Sequence, residues 1–224
     1  MQHTVVKVHG KIGDYFALQA EGKAPYIQAM PECRPVTLLP SDHVVDIGAF
    51  IGEYAMRAAI AGCQVTAYEP TPLTYSVLTQ NLQNYPNATA VNAAVVGGTE
   101  TEVTFSLSKG NGTRNKISSL SNPKKITVPA TSYAEAIKHA TVVKIDVEGA
   151  EWEYPILENL AHLRAIIIEF HPKNTSHRLA AKHICEQIEA HSFTMVYPKT
   201  DEMFWDRFDK HGKRFSAHRA WIRS

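Results

Sequence analysis

The chain has 224 residues, a formal net charge of +1 and 44% hydrophobic residues, of which no long uninterrupted run occurs. These values are typical of a globular protein and predict a single domain, with an N-terminal β-ribbon and connector at 1–40 and a core at 41–224. The small net charge favours neither nucleic acid nor a membrane as partner, and no stretch reaches the ~18 apolar residues of a transmembrane helix.

The three cysteines indicate a reducing environment. Cys33, Cys63 and Cys185 lie far apart in the chain, and none belongs to a C-x-x-C pair. An odd number of widely spaced thiols argues against disulfides and against a zinc site. We therefore expect reduced thiols and a cytoplasmic protein.

The first part of the chain is predicted to form short strands. Residues 4–8, 14–18 and 26–28 are rich in strand-forming residues, with glycines between them. This pattern predicts a β-ribbon ahead of the core. The ribbon could cover the core, contact substrate or pair with another chain, and the sequence does not choose among these.

An apolar run at 44–47 then enters a glycine-containing turn, which a helix of small residues follows. Gly48 and Gly52 can adopt backbone angles that other residues avoid. The pattern D-x-G-x-x-x-G differs from the dinucleotide loop G-x-G-x-x-G, because Phe50 replaces the middle glycine. Asp46 would repel a pyrophosphate but attract an ammonium or sulfonium group. The loop therefore favours S-adenosylmethionine, which carries both cations, over NAD.

The next two strands indicate a nucleoside site. A strand at 64–68 ends at Glu69, and a carboxylate at this position can accept both hydroxyl protons of an adenosine ribose. A helix begins at Thr71-Pro72, and a third strand is predicted over 88–96. Small residues at its exit leave room for a flat ring, and Asn92 could offer an amide. NAD and S-adenosylmethionine share this ribose.

Two polar stretches carry several basic residues. Residues 108–125 contain lysine and arginine but no acid, which would suit an anionic substrate, a lid or an ordinary surface loop. Residues 203–214 combine aromatic and basic side chains, which can stack on bases. No recognised nucleic-acid motif accompanies them.

The second half of the chain continues the alternation of strands and helices. A strand at 142–145 ends at Asp146 and Glu148, a helix is predicted after Gly149, and a strand at 165–170 ends at His171. Strands at 193–197 and 218–222 are predicted to form an antiparallel edge. The alternation predicts an α/β fold with a mainly parallel sheet, whose strands end at one shared edge where ligands bind.

Five polar residues fall at predicted strand exits: Asp46, Glu69, Asn92, Asp146 and His171. In these regions the chain resembles the FkbM family of S-adenosylmethionine-dependent methyltransferases. The most specific similarity is the run Lys-Ile-Asp-Val-Glu-Gly-Ala-Glu at 144–151. Phe50 departs from the asparagine that is usual in the family. The other matching stretches are 45–49 with Gly52, 68–70, 92–95 and 168–171.

The resemblance implies a Rossmann-like, seven-stranded class I methyltransferase sheet, mostly parallel with an antiparallel edge strand. It also implies methyl transfer to oxygen, on a hydroxyl of a sugar, a glycan or a secondary metabolite. The cofactor-binding residues that it implies are Asp46, Gly48, Ala49 and Gly52 for the methionine part, Glu69 for the ribose, and Asn92 and Ala93 near the adenine.

His171 is the expected general base, because an unperturbed imidazole titrates near pH ~6.5 and a hydroxyl must lose its proton to react. Asp146 is the alternative base, and it could also bind the cofactor amine. Asp146, Glu148, Glu151 and His171 could together bind Mg²⁺. Glu148 and Glu151 also fit an ordinary helix start, where carboxylates are stabilised, and we predict no metal.

Two other functions are compatible with the sequence. One is a catalytically silent Rossmann-like module that uses its basic loops to bind an anionic partner or RNA. The other is an NAD-linked oxidoreductase, which Asp46 and Phe50 disfavour. Neither the acceptor nor the oligomeric state follows from the sequence.

Overall fold

The structure is a computed structural model that describes residues 3–10, 12–20, 35–106, 116–117, 125–197 and 217–223. The strand predicted at 26–28, most of the basic stretch 108–125 and all of 203–214 lie outside these residues. None of the helices within them is long and apolar enough to cross a membrane.

Thirteen strands are described. The first two, β1 and β2, form an antiparallel ribbon, which confirms the predicted N-terminal β-ribbon. In chain order the strands are β1 (His3–Gly10), β2 (Gly13–Ala20), β3 (His43–Ile47), β4 (Gln64–Tyr68), β5 (Ala88–Val91), β6 (Ala94–Val96), β7 (Glu102–Ser106), β8 (Lys116–Ile117), β9 (Lys125–Ser132), β10 (Val142–Ile145), β11 (Ala165–Phe170), β12 (Phe193–Tyr197) and β13 (Ala217–Arg223).

The main sheet has seven strands in the order β12-β13-β11-β10-β3-β4-β5. The five strands from β11 to β5 are parallel, and β13 runs antiparallel to both of its neighbours. This arrangement confirms the predicted seven-stranded, mostly parallel sheet with an antiparallel element at one edge. The antiparallel strand itself is the second from that edge, and β12 is the outermost.

Four α-helices are described, and their starts follow local sequence rules. Pro72 occupies the first turn of α2, where its missing N–H costs no hydrogen bond. The Ser132 hydroxyl accepts the Glu135 N–H at 3.2 Å and so caps α3, a role to which serine is well suited. The helices are α1 (Glu53–Ile60), α2 (Pro72–Leu82), α3 (Tyr133–Ile137) and α4 (Thr175–Ala190).

Buried side chains lie on both faces of the sheet. Val44 and Val45 are adjacent in β3 but belong to different clusters, because successive side chains of a strand point to opposite faces. The first cluster includes Tyr15 and Leu18 from the ribbon, so the ribbon forms part of the core on that face.

Two predicted elements differ from the structure. The strand predicted over 88–96 is divided into β5, in the main sheet, and β6, in a four-stranded sheet of order β6-β9-β7-β8. The helix predicted after Gly149 is replaced by two short 3₁₀ helices, Glu151–Glu153 and Ile156–Asn159. Pro155 separates them, because proline forces the preceding residue into an extended conformation and offers no N–H.

Candidate active site

The ends of four adjacent parallel strands bring polar residues to one edge of the sheet. Asp46 is the penultimate residue of β3, and Asp146, Glu69 and Asn92 follow β10, β4 and β5. Neighbouring strands are about 4.8 Å apart, so the three steps from β10 to β5 span roughly 14 Å. An elongated ligand would fit along this edge.

The loop after β3 packs directly on the loop after β10. Gly48 has φ +79°, and a Cβ added there would lie 1.9 Å from the Asp146 carbonyl oxygen. The Gly48 and Ala49 N–H groups both donate to the Tyr68 carbonyl, at 3.0 and 2.9 Å. Gly52 also has a positive φ, and a Cβ there would lie 2.6 Å from Leu78 Cδ1. Both glycines are therefore required for close packing of the loop.

Two residues other than glycine adopt left-handed conformations in these loops. Phe50 has φ +53° and Glu148 has φ +55°. Such angles are uncommon for residues with a Cβ, and strained backbone is concentrated at functional sites. In the case of Phe50, the conformation places its N–H 3.1 Å from Glu69 Oε2.

Glu69 is buried and held by several donors. Oε1 accepts the Thr71 N–H at 2.8 Å and the Thr74 hydroxyl at 3.1 Å. Burial raises the pKa of Glu69 to about 7, against the opposing effect of these hydrogen bonds. Oε2 accepts the Phe50 N–H, and a carboxylate oxygen can accept more than one donor. This oxygen therefore keeps the capacity to accept a ligand hydroxyl.

Asn92 lies next to this carboxylate. Its amide N–H₂ donates to the carbonyl oxygens of Glu69 and Pro70, at 2.9 and 3.1 Å. These bonds fix the Asn92 side chain directly after β5. They leave the Asn92 side-chain oxygen as the atom that could accept from a ligand. Ala93, which follows, is buried.

Asp46 is fully buried and paired with Lys144. The two residues are register partners in β3 and β10, and Lys144 Nζ lies 3.4 Å from Asp46 Oδ1 and 3.5 Å from Asp146 Oδ2. Burial raises the pKa of Asp46, whereas the Lys144 charge opposes this shift. Neither Asp46 oxygen has a well-formed hydrogen bond within the described residues. The carboxylate therefore keeps acceptor capacity.

Lys144 is a site residue with no role among the predictions from sequence. The sequence pattern nevertheless indicates a buried ion pair, because a single lysine in the apolar run of a central strand must be buried, and a buried charge needs a partner. Only the register of β10 with β3 shows that this partner is Asp46.

Four carboxylates surround His171. Nε2 lies 3.3 Å from Glu169 Oε1 and 3.9 Å from both Asp146 Oδ1 and Glu148 Oε2, and Nδ1 lies 3.5 Å from Glu151 Oε1. Glu151 also accepts the backbone N–H groups of Gly149 and His171, at 2.8 and 2.6 Å. It thereby ties the loop after β10 to the loop after β11. Glu169 is another contributor that the sequence analysis did not assign.

These carboxylates change the protonation of His171. Burial lowers its pKa, but the close approach of the Glu151 and Glu169 carboxylates outweighs that effect and raises the pKa to about 10. In the free protein His171 is therefore a cation at neutral pH.

We expect nuclear magnetic resonance titration of the His171 ring to show a midpoint well above pH 8. The pKa of His171 is higher in the folded than in the unfolded protein. The attraction between the imidazolium and its carboxylates therefore stabilises the protein fully below pH ~6.5, and this contribution is lost as pH rises towards 10. In Glu169→Gln the midpoint should move down. A wild-type midpoint below pH 7 would contradict this account of the charges.

The same cluster bears on the magnesium interpretation. One ligand atom each from Asp146, Glu169 and His171 lies within 4.8 Å of the others, a spacing compatible with one metal ion. Glu151 instead binds backbone N–H groups. The predicted ligands thus do not form one set.

The comparisons with known proteins identify a family and a fold. The sequence model of the family described as "Methyltransferase FkbM domain" matches residues 46–213. No curated protein sequence matches significantly. Among solved structures, methyltransferase FkbM from Methylobacillus flagellatus is 16% identical with a TM-score of 0.52, and the alignment covers 84% of this chain and 44% of that one.

For a second solved structure, the alignment covers nearly the whole of that structure's chain. A candidate S-adenosylmethionine-dependent methyltransferase from Listeria monocytogenes is 8% identical with a TM-score of 0.50, and the alignment covers 86% of this chain and 96% of that one. At these identities the two structures support the fold. The chain spans less than half the length of the Methylobacillus protein.

Proposed function

We propose, from the premise that this chain belongs to the FkbM methyltransferase family, that it transfers a methyl group from S-adenosylmethionine to a hydroxyl of a small molecule or glycan. The observation that carries this proposal is the meeting of Asp146 and His171 beside the edge where Asp46 and Glu69 lie. A proton acceptor and a cofactor site are then adjacent.

The polar groups along the edge fit the cofactor. Asp46 and Asp146 are suited to its positive charges, with Gly48, Ala49 and Gly52 shaping the loop around the methionine part. Glu69 Oε2 can accept from the ribose, and Asn92 and Ala93 lie at the end where the adenine would bind. The bound cofactor supplies a methyl group on a good leaving group, so the protein mainly has to orient the acceptor and exclude water.

The charge state of His171 favours Asp146 as the proton acceptor. A base must be unprotonated, and a pKa of about 10 keeps His171 cationic at neutral pH. Asp146 lies between the cations Lys144 and His171, and its side chain is 11% exposed. We therefore assign proton removal to Asp146, and assign to His171 the orientation of this carboxylate and of the acceptor hydroxyl.

Calorimetry with S-adenosylmethionine, S-adenosylhomocysteine and NAD tests the cofactor assignment. We expect the first two to bind and NAD not to bind. Asp46→Ala should weaken S-adenosylmethionine binding ten-fold or more, which corresponds to a lost charge-assisted hydrogen bond. Binding of NAD alone would favour the oxidoreductase, and binding of none would favour the silent module.

Asp42→Ala is the matched control for Asp46→Ala. Asp42 is also a buried, ion-paired aspartate, but it lies just before β3, at the opposite end of the strand, and binds Arg164 and Thr141. Its loss should destabilise the protein without changing cofactor affinity. Equal weakening by both variants would contradict the placement of the methionine part.

Formation of S-adenosylhomocysteine with a panel of hydroxylated metabolites and glycans tests the reaction. With an acceptor found, Asp146→Asn should lower kcat about 10²- to 10⁴-fold, the usual contribution of a general base. Glu148→Gln removes a carboxylate from the same loop and should change kcat less than ten-fold. A fully active Asp146→Asn would exclude Asp146 as the base.

We expect the activity to persist in EDTA. In the structure His171 Nε2 is directed at Glu169 and Asp146, so the imidazolium already lies among the possible metal ligands. The measurement is the rate before and after dialysis against EDTA, with Mg²⁺ added back. Loss of activity in EDTA and its recovery with Mg²⁺ would instead establish metal-assisted activation of the hydroxyl.

We also propose a cytoplasmic location. Cys63 and Cys185 are free and buried in the structure. Such thiols are suited to a reducing compartment.

A further inference from the structure

One asparagine of α2 hydrogen-bonds both the N-terminal ribbon and the candidate cofactor loop. Asn81 lies near the end of α2 and is 6% exposed. Its side-chain oxygen accepts the Phe16 N–H at 2.7 Å, and its amide donates to the Phe16 carbonyl at 2.9 Å and to the Ile51 carbonyl at 2.7 Å. Phe16 belongs to β2, and Ile51 directly precedes Gly52.

These bonds make Asn81 a junction of three elements. Its amide pairs with both backbone groups of Phe16, as a neighbouring strand would, and its remaining N–H binds the cofactor loop. The need of the Phe16 N–H for an acceptor fixes the orientation of the amide. Removal of the side chain would leave three buried or partly buried backbone groups without this partner, which is costly.

A second contact joins the same elements. The Tyr15 hydroxyl donates to Glu53 Oε1 at 2.6 Å in a buried position. Glu53 is the first residue of α1, which begins directly after Gly52. The ribbon is thus bonded directly to Glu53 and linked to Ile51 through Asn81. Helix α2 also packs against Gly52 itself through Leu78.

We infer that the ribbon is a positioning element for the cofactor loop and that Asn81 is its positioning residue, so that cofactor binding and ribbon docking stabilise each other. The inference rests on the proposed placement of the cofactor at residues 46–52. Because coupling between two binding equilibria is reciprocal, the cofactor must tighten ribbon docking by the factor by which the docked ribbon tightens cofactor binding.

Hydrogen exchange and calorimetry test the inference. Saturating S-adenosylhomocysteine should slow amide exchange in β2 of the wild-type protein about ten-fold. Asn81→Ala should weaken cofactor binding by a similar factor and abolish the slowing in β2. Both readouts report coupling between sites, which a loss of stability alone would not remove.

Asn87→Ala is the matched control. The Asn87 amide also bridges two backbone carbonyls, those of Ala59 and Cys63, but at the far end of α1. This variant should lose stability while its cofactor affinity stays within two-fold of wild type and the slowing in β2 persists. Equal weakening of binding in both asparagine variants would overturn the inference.

Tyr15→Phe serves if Asn81→Ala does not fold. It keeps the ring in the core and removes only the hydroxyl bonded to Glu53, and it should weaken binding a few-fold and reduce the slowing in β2. The inferred coupling would be overturned, with the proposed function intact, by either of two results. One is wild-type cofactor affinity and wild-type slowing of exchange in Tyr15→Phe, and the other is amide exchange in β2 of the wild-type protein that does not change when the cofactor binds. A wild-type protein that binds no cofactor would refute the proposed function together with it.

Discussion

Gly48→Ala should abolish measurable cofactor binding and lower the free energy of unfolding by several kcal/mol. Two effects add. The left-handed conformation costs an alanine roughly 1–2 kcal/mol, and the new Cβ would lie 1.9 Å from the Asp146 carbonyl oxygen. Since the Cβ is fixed to its Cα and the carbonyl oxygen to its peptide group, neither atom can rotate away, and the loops after β3 and β10 must separate. Denaturant unfolding and calorimetry measure the two losses.

Gly62→Ala is the control that separates the cost of the left-handed backbone conformation from the cost of the steric overlap. Gly62 has φ +89°, but a Cβ there would first meet Pro40 Cβ, at 3.4 Å. We expect a loss of about 1–2 kcal/mol from the backbone alone, with unchanged cofactor affinity. If Gly48→Ala bound the cofactor as well as Gly62→Ala does, the close packing of the two loops would not matter for binding.

Lys144→Met should destabilise the protein by about 3–5 kcal/mol, because it leaves the Asp46 carboxylate buried without its ion-pair partner. The loss should depend on pH. Burial already raises the pKa of Asp46 above its ordinary value of 3.8. The unpaired carboxylate is costly only when ionised, so the loss should be full at neutral pH and should shrink as acidification protonates Asp46. Urea unfolding at several pH values measures this dependence.

The double variant Asp46→Asn with Lys144→Met gives the internal test. It removes both charges and should recover part of the stability, since the remaining amide carries no charge. The matched control is Lys138→Met, an exposed lysine 3.8 Å from Glu135, which should change stability by less than about 1 kcal/mol. A double variant no more stable than Lys144→Met would show that the pair is not what Lys144 stabilises.

The sequence was sufficient to predict the strands of a mainly parallel sheet and the edge at which they end. The apolar runs of β3, β10 and β11 are short and bounded, and chain direction then places Asp46, Asp146 and His171 at one edge. The family resemblance supplied the number of strands. These features depend on local patterns and on general rules for parallel sheets, which is why they could be predicted.

The charge states of the site residues could not be predicted from local sequence patterns. The high pKa of His171 requires Glu151 to approach from the loop after β10 and Glu169 to lie on the same side of β11. Likewise, Lys144 neutralises Asp46 only in the observed register of β3 and β10. The pKa of His171 and the neutralisation of Asp46 thus depend on contacts with residues distant in the chain, Glu151 and Lys144. The ordinary pKa of histidine, on which the prediction of His171 as base was founded, does not include such contacts.

The position of β13 has a consequence for biosynthesis. This strand fills the gap between β11 and β12, and β12 pairs with no other strand in the described chain. A nascent polypeptide that has emerged only as far as β12 therefore exposes the open side of β11, an edge at which aggregation can start. Completion of the sheet must await the synthesis of residues 217–223.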